Sequence, residues 1–370
     1  MASSDMQPSH LYIHIPFCAV RCDYCDFYST ADGIGRAAAY VDALLAELAG
    51  LDLGPASLDT VYLGGGTPTL IGATLIEKIM AALAVSLGPG AEVTIEANPS
   101  TLNRELADRL RHSGVNRVSL GVQSFDTRLR QNLGRAGGTG VIFRAMESLR
   151  GAGFENVGID LIFAIPGQEA GELEDDIRQA LSLRPEHISW YELSAADGGA
   201  YALKWGKELS RARENGPDFY ESVTTALEAA GYCWYETSNY AIPGRQCRHN
   251  LSYWQGEDYL GIGAGAWSTR SFERWRNVED IDLYIRDRGR PDESRMLEHL
   301  GEKEKMTEKL ALGLRMDSGL KRDEVEGLID PGEERLLKER GYLVNEGDRI
   351  YLTRAGRFVA NEICARLLRD

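Results

Sequence analysis

Three cysteines near the start of the chain, Cys18, Cys22 and Cys25, sit in the run Cys18-Ala-Val-Arg-Cys22-Asp-Tyr-Cys25, a C-x3-C-x2-C spacing. Thiolates bind soft metals and iron–sulfur clusters, and so short a loop brings all three to one centre. A [4Fe–4S] cluster held by three protein thiolates keeps one iron open, and an open metal position marks chemistry where a closed one marks structure. Two blander readings compete. Structural zinc needs a fourth ligand, for which His14 is the only nearby candidate. Three unrelated thiols are the other, while disulfides do not suit a chain whose first ten residues lack the apolar run of an export signal. Cys233, Cys247 and Cys364 are scattered and read as small hydrophobes.

The elements that must position this loop follow from the apolar pattern. Strand-like segments at 11–15, 60–63, 92–96, 117–120, 158–163 and 187–191 alternate with helical stretches at 37–48, 73–87, 102–112, 141–150, 172–181 and 217–230. That rhythm predicts a parallel α/β architecture, either a partial barrel or a doubly wound sheet, which periodicity does not separate. Helices at 302–314, 322–328, 333–341 and 355–368 around a hairpin at 342–352 predict a mainly helical, winged-helix-like C-terminal domain. The formal net charge of −15 over 370 residues argues against nucleic acid as a partner, since a nonspecific phosphate contact needs basic surface. The expected compartment is cytoplasmic, with no apolar run approaching the ~18 residues of a membrane span.

In barrels the site is built at the carboxyl ends of the strands. Polar or glycine-rich residues stand at those ends here: Gly64-Gly-Gly-Thr67 after the second strand, Glu96 after the third, and Gln123 and then Arg135 after the fourth. Asp160 interrupts the apolar fifth strand, and a buried charge is costly unless paired or functional. A tight turn, a capping carboxylate and a structural Arg–Asp pair are the alternatives for these three features. The glycine run at 261–266 fits a dinucleotide fingerprint, but no βαβ unit surrounds it.

Together these motifs resemble the radical S-adenosylmethionine (SAM) superfamily, in the branch that holds oxygen-independent coproporphyrinogen III oxidases (HemN) and heme chaperones (HemW). The resemblance runs from Leu11 to about Leu367. It implies an α/β fold with a partial (β/α)6 barrel. The expected layout is a disordered tail at 1–10, the barrel at 11–240, a heme-motif and barrel-closing segment at 241–295, and a HemN-type C-terminal domain at 296–370. It implies a [4Fe–4S] cluster on Cys18, Cys22 and Cys25, with SAM contacted by Gly65, Gly66, Thr67, Glu96, Gln123, Arg135 and Asp160. Tyr12 and Tyr24 fill aromatic positions beside these cofactors.

Two features divide the branch. The oxidases carry a fourth cysteine two residues after the third, and Phe27 stands there in this chain. The run His249-Asn-Leu-Ser-Tyr-Trp254 reproduces the H-N-x-x-Y-W motif of the chaperones, which makes His249 the expected heme ligand. The chain also departs from the chaperone pattern. Gly137 and Trp267 occupy positions where histidines are usual, and residues 196–200 replace a Glu-Pro-Gly-Thr segment. The expected function is heme binding and transfer to an acceptor protein, with an electron donor and any peripheral membrane contact supplied by partners. The alternative is a radical oxidoreductase or methyltransferase acting on a tetrapyrrole or other substrate.

Overall fold

The computed structural model describes residues 8–135, 137–195, 199–289 and 295–368. Six parallel strands stand side by side in chain order: β1 (His10–Ile15), β2 (Leu58–Gly65), β3 (Leu87–Ala97), β4 (Arg117–Gln123), β5 (Val157–Phe163) and β6 (His187–Glu192). An order without reversal is that of a barrel wall, whereas a doubly wound sheet turns back on itself at its switch point. The choice that periodicity left open is therefore made by topology. His10 opens β1 and is buried, so the sheet begins inside the stretch expected to be tail; residues 1–7 lie outside the described residues.

Between the strands run α1 (Ala37–Ala49), α2 (Ala73–Leu83), α3 (Arg104–His112), α4 (Thr127–Asn132), α5 (Gly140–Gly151) and α6 (Ala170–Ser182). The helix expected over 73–87 stops at Leu83, because Gly88, Pro89 and Gly90 suit an extended chain and β3 starts at Leu87. Asn103 caps α3 by accepting from the Leu106 N–H at 2.8 Å. Leu11, Ile13, Val61, Leu63, Ile95, Val118, Leu120, Ile159 and Leu161 are wholly buried in the core shared with these helices. The alternate positions are polar and belong to the other face of the sheet: Thr60, Tyr62, Thr94, Glu96, Ser119, Asp160 and Ser189.

The remaining elements close the barrel. After α7 (Ala200–Glu214) and α8 (Gly216–Ala229), the hairpin β7 (Cys233–Glu236) and β8 (Asn239–Ala241) adds antiparallel to β6. Then α9 (Arg248–Trp254) leads to β9 (Leu260–Ile262), which pairs parallel with β1. The glycine run thus supplies a ninth strand to the sheet, and β7 and β9 form its two outer edges, so the wall stays incomplete. Strands β10 (Trp267–Arg270), β11 (Glu273–Arg276) and β12 (Met296–His299) make a small antiparallel sheet, with α10 (Ile281–Arg286) packed on α1. Because β12 belongs to this sheet, the boundary expected at 295/296 falls inside a folded unit, and the second core begins at α11.

That second core is built from α11 (Glu302–Gly313), β13 (Leu320–Lys321), α12 (Pro331–Glu339), the hairpin β14 (Leu343–Glu346) and β15 (Arg349–Leu352), α13 (Arg354–Phe358) and α14 (Ala360–Leu367). The expected last helix is split at Val359. The domain docks on the barrel through Arg354, which binds Glu221 and Glu228, and Arg357, whose guanidinium lies 3.7 Å from the centre of the Trp234 ring. Among the described residues, no helix is long and apolar enough to cross a membrane.

Glu92 holds α9 against the barrel wall. Its carboxylate accepts from the N–H groups of Arg248 and His249, each at 3.1 Å, and so caps the helix. Glu92→Ala leaves those donors buried without an acceptor and is expected to destabilise the barrel by roughly 2–3 kcal/mol. Glu92→Gln, which keeps one acceptor, should cost less. Thermal melts of the two variants check the order.

Candidate functional site

The strand ends and the first loop surround a cavity of about 400 Å³. Cys18, Cys22 and Cys25 stand at its mouth, half-buried and free. Their loop is tied down by backbone bonds, Cys18 N–H to Thr30 O at 2.9 Å and Thr30 N–H to Pro16 O at 2.8 Å. The glycine loop after β2 runs alongside, with Gly66 N–H donating to Ile15 O and Thr67 N–H to Phe17 O. A Cβ at Gly66 would lie 2.7 Å from Phe17 O, so only glycine allows that approach. From the other side Lys204 pairs with Asp23 at 2.9 Å, Tyr201 meets Tyr24 edge-on, and Arg135 reaches Cys22 and Tyr24.

The donor set suits a cluster better than a single ion. Among the described residues, no three His, Cys, Asp or Glu side chains converge tightly enough to hold one metal ion. His14, the candidate fourth zinc ligand, is already engaged: its Nε2 donates to Tyr28 O at 2.9 Å and its Nδ1 accepts from Tyr12. A four-iron cluster instead takes each thiolate on a separate iron. Burial pushes the Cys18 and Cys25 thiols up, so a bound metal is what would keep them ionised.

Two carboxylates face the same cavity. Glu96 accepts from Tyr62 OH at 3.0 Å and from Gly65 N–H at 3.1 Å. Burial, with the like charge of Asp160 adding, pushes its pKa up to about 7. Asp160 accepts from Ser119 Oγ at 3.0 Å and is likewise raised by burial. Half-buried acids without an ion-pair partner among the described residues are suited to a ligand that brings positive charge, as the sulfonium and ammonium groups of SAM do. Gln123 is aimed by a bulge in β4 and a left-handed backbone, φ 71°, that turns its amide back over Gly121 beside Arg135.

Eleven expected residues therefore line one cavity: the three cysteines, Tyr24, Gly65, Gly66, Thr67, Glu96, Gln123, Arg135 and Asp160. Tyr12 and His249 do not line it. Tyr12 stacks on Tyr62 and on the His249 ring. His249 is 1% exposed, and both ring nitrogens are taken, Nδ1 by Thr60 Oγ at 2.6 Å and Nε2 by Tyr253 OH at 2.8 Å. Burial lowers its pKa to about 3, so the ring is neutral, the form that binds iron. An axial ligand needs one free nitrogen, and this arrangement does not fit heme at His249 unless the Tyr253 or Thr60 bond is given up. Gly137 adopts φ 94°, Trp267 carries Arg276 over its ring, and residues 196–198 lie outside the described residues. Tyr62, Arg117, Ser119, His187 and Ser189 also line the cavity and were missed; their signal is the polar alternation along each strand.

Comparison with known proteins agrees with this geometry. Residues 12–180 match the radical SAM superfamily and residues 300–359 the HemN C-terminal domain. The chain is 34% identical to a heme chaperone HemW of Lactococcus lactis subsp. lactis, covering 98% of each chain. It is 34% identical to that of Bacillus subtilis, covering 96% of this chain and 98% of the relative. The structure of coproporphyrinogen III oxidase (HemN) from Escherichia coli superposes with a TM-score of 0.78 at 22% identity, covering 97% of this chain and 90% of that one. The radical SAM fold implies a [4Fe–4S] cluster and SAM. Full-length identity of this degree, on that fold and with these cysteines, means that the chain belongs to the HemW family of radical SAM proteins.

Proposed function

We propose that this protein is a heme chaperone, which binds heme and passes it to an acceptor protein while Cys18, Cys22 and Cys25 hold a [4Fe–4S] cluster. The observation that carries the choice of chaperone over oxidase is Phe27, 69% exposed at the cavity mouth where the oxidases carry a further cysteine. The cluster, when bound, offers SAM an open iron and an electron. Gly65, Gly66 and Thr67 hold the amino end of SAM by backbone contact, Glu96 and Asp160 balance its positive charge, and Gln123 and Arg135 orient it. Tyr24 covers the cluster side.

His249 is proposed as the axial ligand of heme, and in that case heme binding must break its bond to Tyr253. The partners are then heme, an acceptor and an electron donor, in the cytoplasm.

Three measurements test this reading. Replacing any one of Cys18, Cys22 or Cys25 with Ala should abolish the EPR signal of the reduced cluster, while Cys233→Ala and Cys364→Ala leave it intact. A full iron and sulfide complement in the triple variant overturns the cluster assignment.

Glu96 has a raised pKa, so SAM must displace a proton from it below pH 7. SAM affinity should then rise with pH up to about 7 and level off above it, being about tenfold weaker at pH 6 than at pH 8. Glu96→Gln should bind SAM more weakly with a flat profile. Calorimetric titration at several pH values reads both.

Heme titration of wild type, His249→Ala and Tyr253→Phe decides the ligand. Tyr253→Phe frees the imidazole and should tighten heme binding, whereas His249→Ala should lose the Soret band. Equal affinities in all three, with a lowered melting temperature in His249→Ala, make His249 a packing residue.

A further inference from the structure

We propose that the floor of the cavity is a carboxylate-binding site built from the guanidinium of Arg117 and the Nδ1–H of His187. Arg117 begins β4 and His187 begins β6, and both line the cavity at its deep end. Each is 1% exposed, yet each carries an unsatisfied polar atom: Arg117 Nε and His187 Nδ1 have no hydrogen-bond partner among the described residues. No hydrogen bond to the Arg117 guanidinium occurs anywhere among those residues. A buried arginine with an unanswered fork is costly, and the group that matches such a fork is a carboxylate.

The proton on His187 follows from its neighbours. Its Nε2 lies 2.6 Å from Tyr235 OH, and that hydroxyl accepts from Cys247 N–H. Tyr235 satisfies both groups by donating its own proton to Nε2, which leaves the imidazole proton on Nδ1. Burial, with Arg117 nearby, keeps the ring neutral. Both open positions are therefore donors. They face one gap, because a Cβ built on Gly158 would lie 3.2 Å from His187 Nδ1 and 3.4 Å from Arg117 Nη2. The nearest acid on this level, Glu92, is committed to the amides of α9.

The site is distinct from the cation at the mouth. Arg135 binds Gly121 O, four residues along β4 from Arg117, and a strand rise of about 3.3 Å per residue separates the two levels by about 13 Å. Glu96, level with Ser119, lies between them on the cavity wall, and Asp160 lies at the level of Gly121. A ligand that reaches the floor therefore carries a carboxylate at its far end. A propionate of heme fits that chemistry, and only this identity rests on the proposed function; the methionyl carboxylate of SAM does not, because it shares a carbon with the amino group that the Gly65–Thr67 loop holds at the strand ends.

The test uses cluster-loaded protein, wild type and Arg117→Gln, and four ligands: SAM, decarboxylated SAM, heme and heme dimethyl ester. Dissociation constants are read by calorimetry and by the Soret band, with thermal melts in parallel. Arg117→Gln should weaken heme by about tenfold or more and leave heme dimethyl ester, SAM and decarboxylated SAM unchanged. Loss for heme alone assigns a propionate, and equal loss for heme and its ester overturns the site. An unchanged heme affinity, with or without a lowered melting temperature, overturns the site and leaves the donors to ordered water. If Arg117→Gln does not fold, Arg117→Lys, which keeps the charge and loses the fork, is read in the same way. If wild type binds no heme, the proposed function fails on its own, and 13C-labelled propionate titrated into wild type and variant decides the floor site.

Discussion

Charge turned into the hollow of a parallel sheet is the constraint on which this structure depends. Glu92, Glu96, Arg117 and Asp160 all belong to the face of the strands opposite the apolar core, the first and third buried and the other two half-buried. Desolvation of an ionised group costs several kcal/mol unless hydrogen bonds or an opposite charge offset it. Each of the three acids meets that requirement differently. Glu92 is answered by helix amides, Glu96 by a tyrosine and a loop amide, and Asp160 by Ser119. The last two remain raised in pKa, which leaves them short of positive charge and open to a cationic ligand.

The same constraint joins the two motifs that the sequence keeps far apart. Thr60, in β2, bonds both His10 and His249, and Glu92 caps the helix that carries His249. The H-N-x-x-Y-W segment is thus anchored in the barrel rather than lying on its surface. Any rearrangement that frees His249 must disturb Tyr253, Thr60 or the Glu92 cap, and so couples the chaperone motif to the wall that also bears Glu96.

The positions where this chain departs from its relatives' pattern are consistent with a changed periphery around an unchanged centre. Trp267 replaces a histidine but is occupied by its own cation–π partner, Arg276. Gly137 sits in a left-handed turn with open space where a side chain would stand. Neither lines the cavity, whereas the three cysteines, the Gly65–Thr67 turn and the inward carboxylates do.

By itself the sequence determined what depends on local order. Cysteine spacing within one loop, strand–helix alternation, and polar residues at strand ends all follow from neighbours in the chain, so the cluster loop, the six strands and eleven residues of the cavity lining were legible. Short edge and hairpin pieces were not: β7 to β12 are three or four residues each, too short for a periodic signal, and exist because partners arrive from elsewhere in the fold. The choice between a barrel and a doubly wound sheet was likewise a matter of strand order, which no periodicity encodes. Only the tertiary structure decided that His249 is enclosed with both nitrogens bonded, that Tyr12 lies off the cavity wall, and that Arg117 and His187 meet across Gly158. Burial and hydrogen-bond partners are set by which strands stand side by side, and residues more than a hundred positions apart share a bond only once the sheet has closed around them.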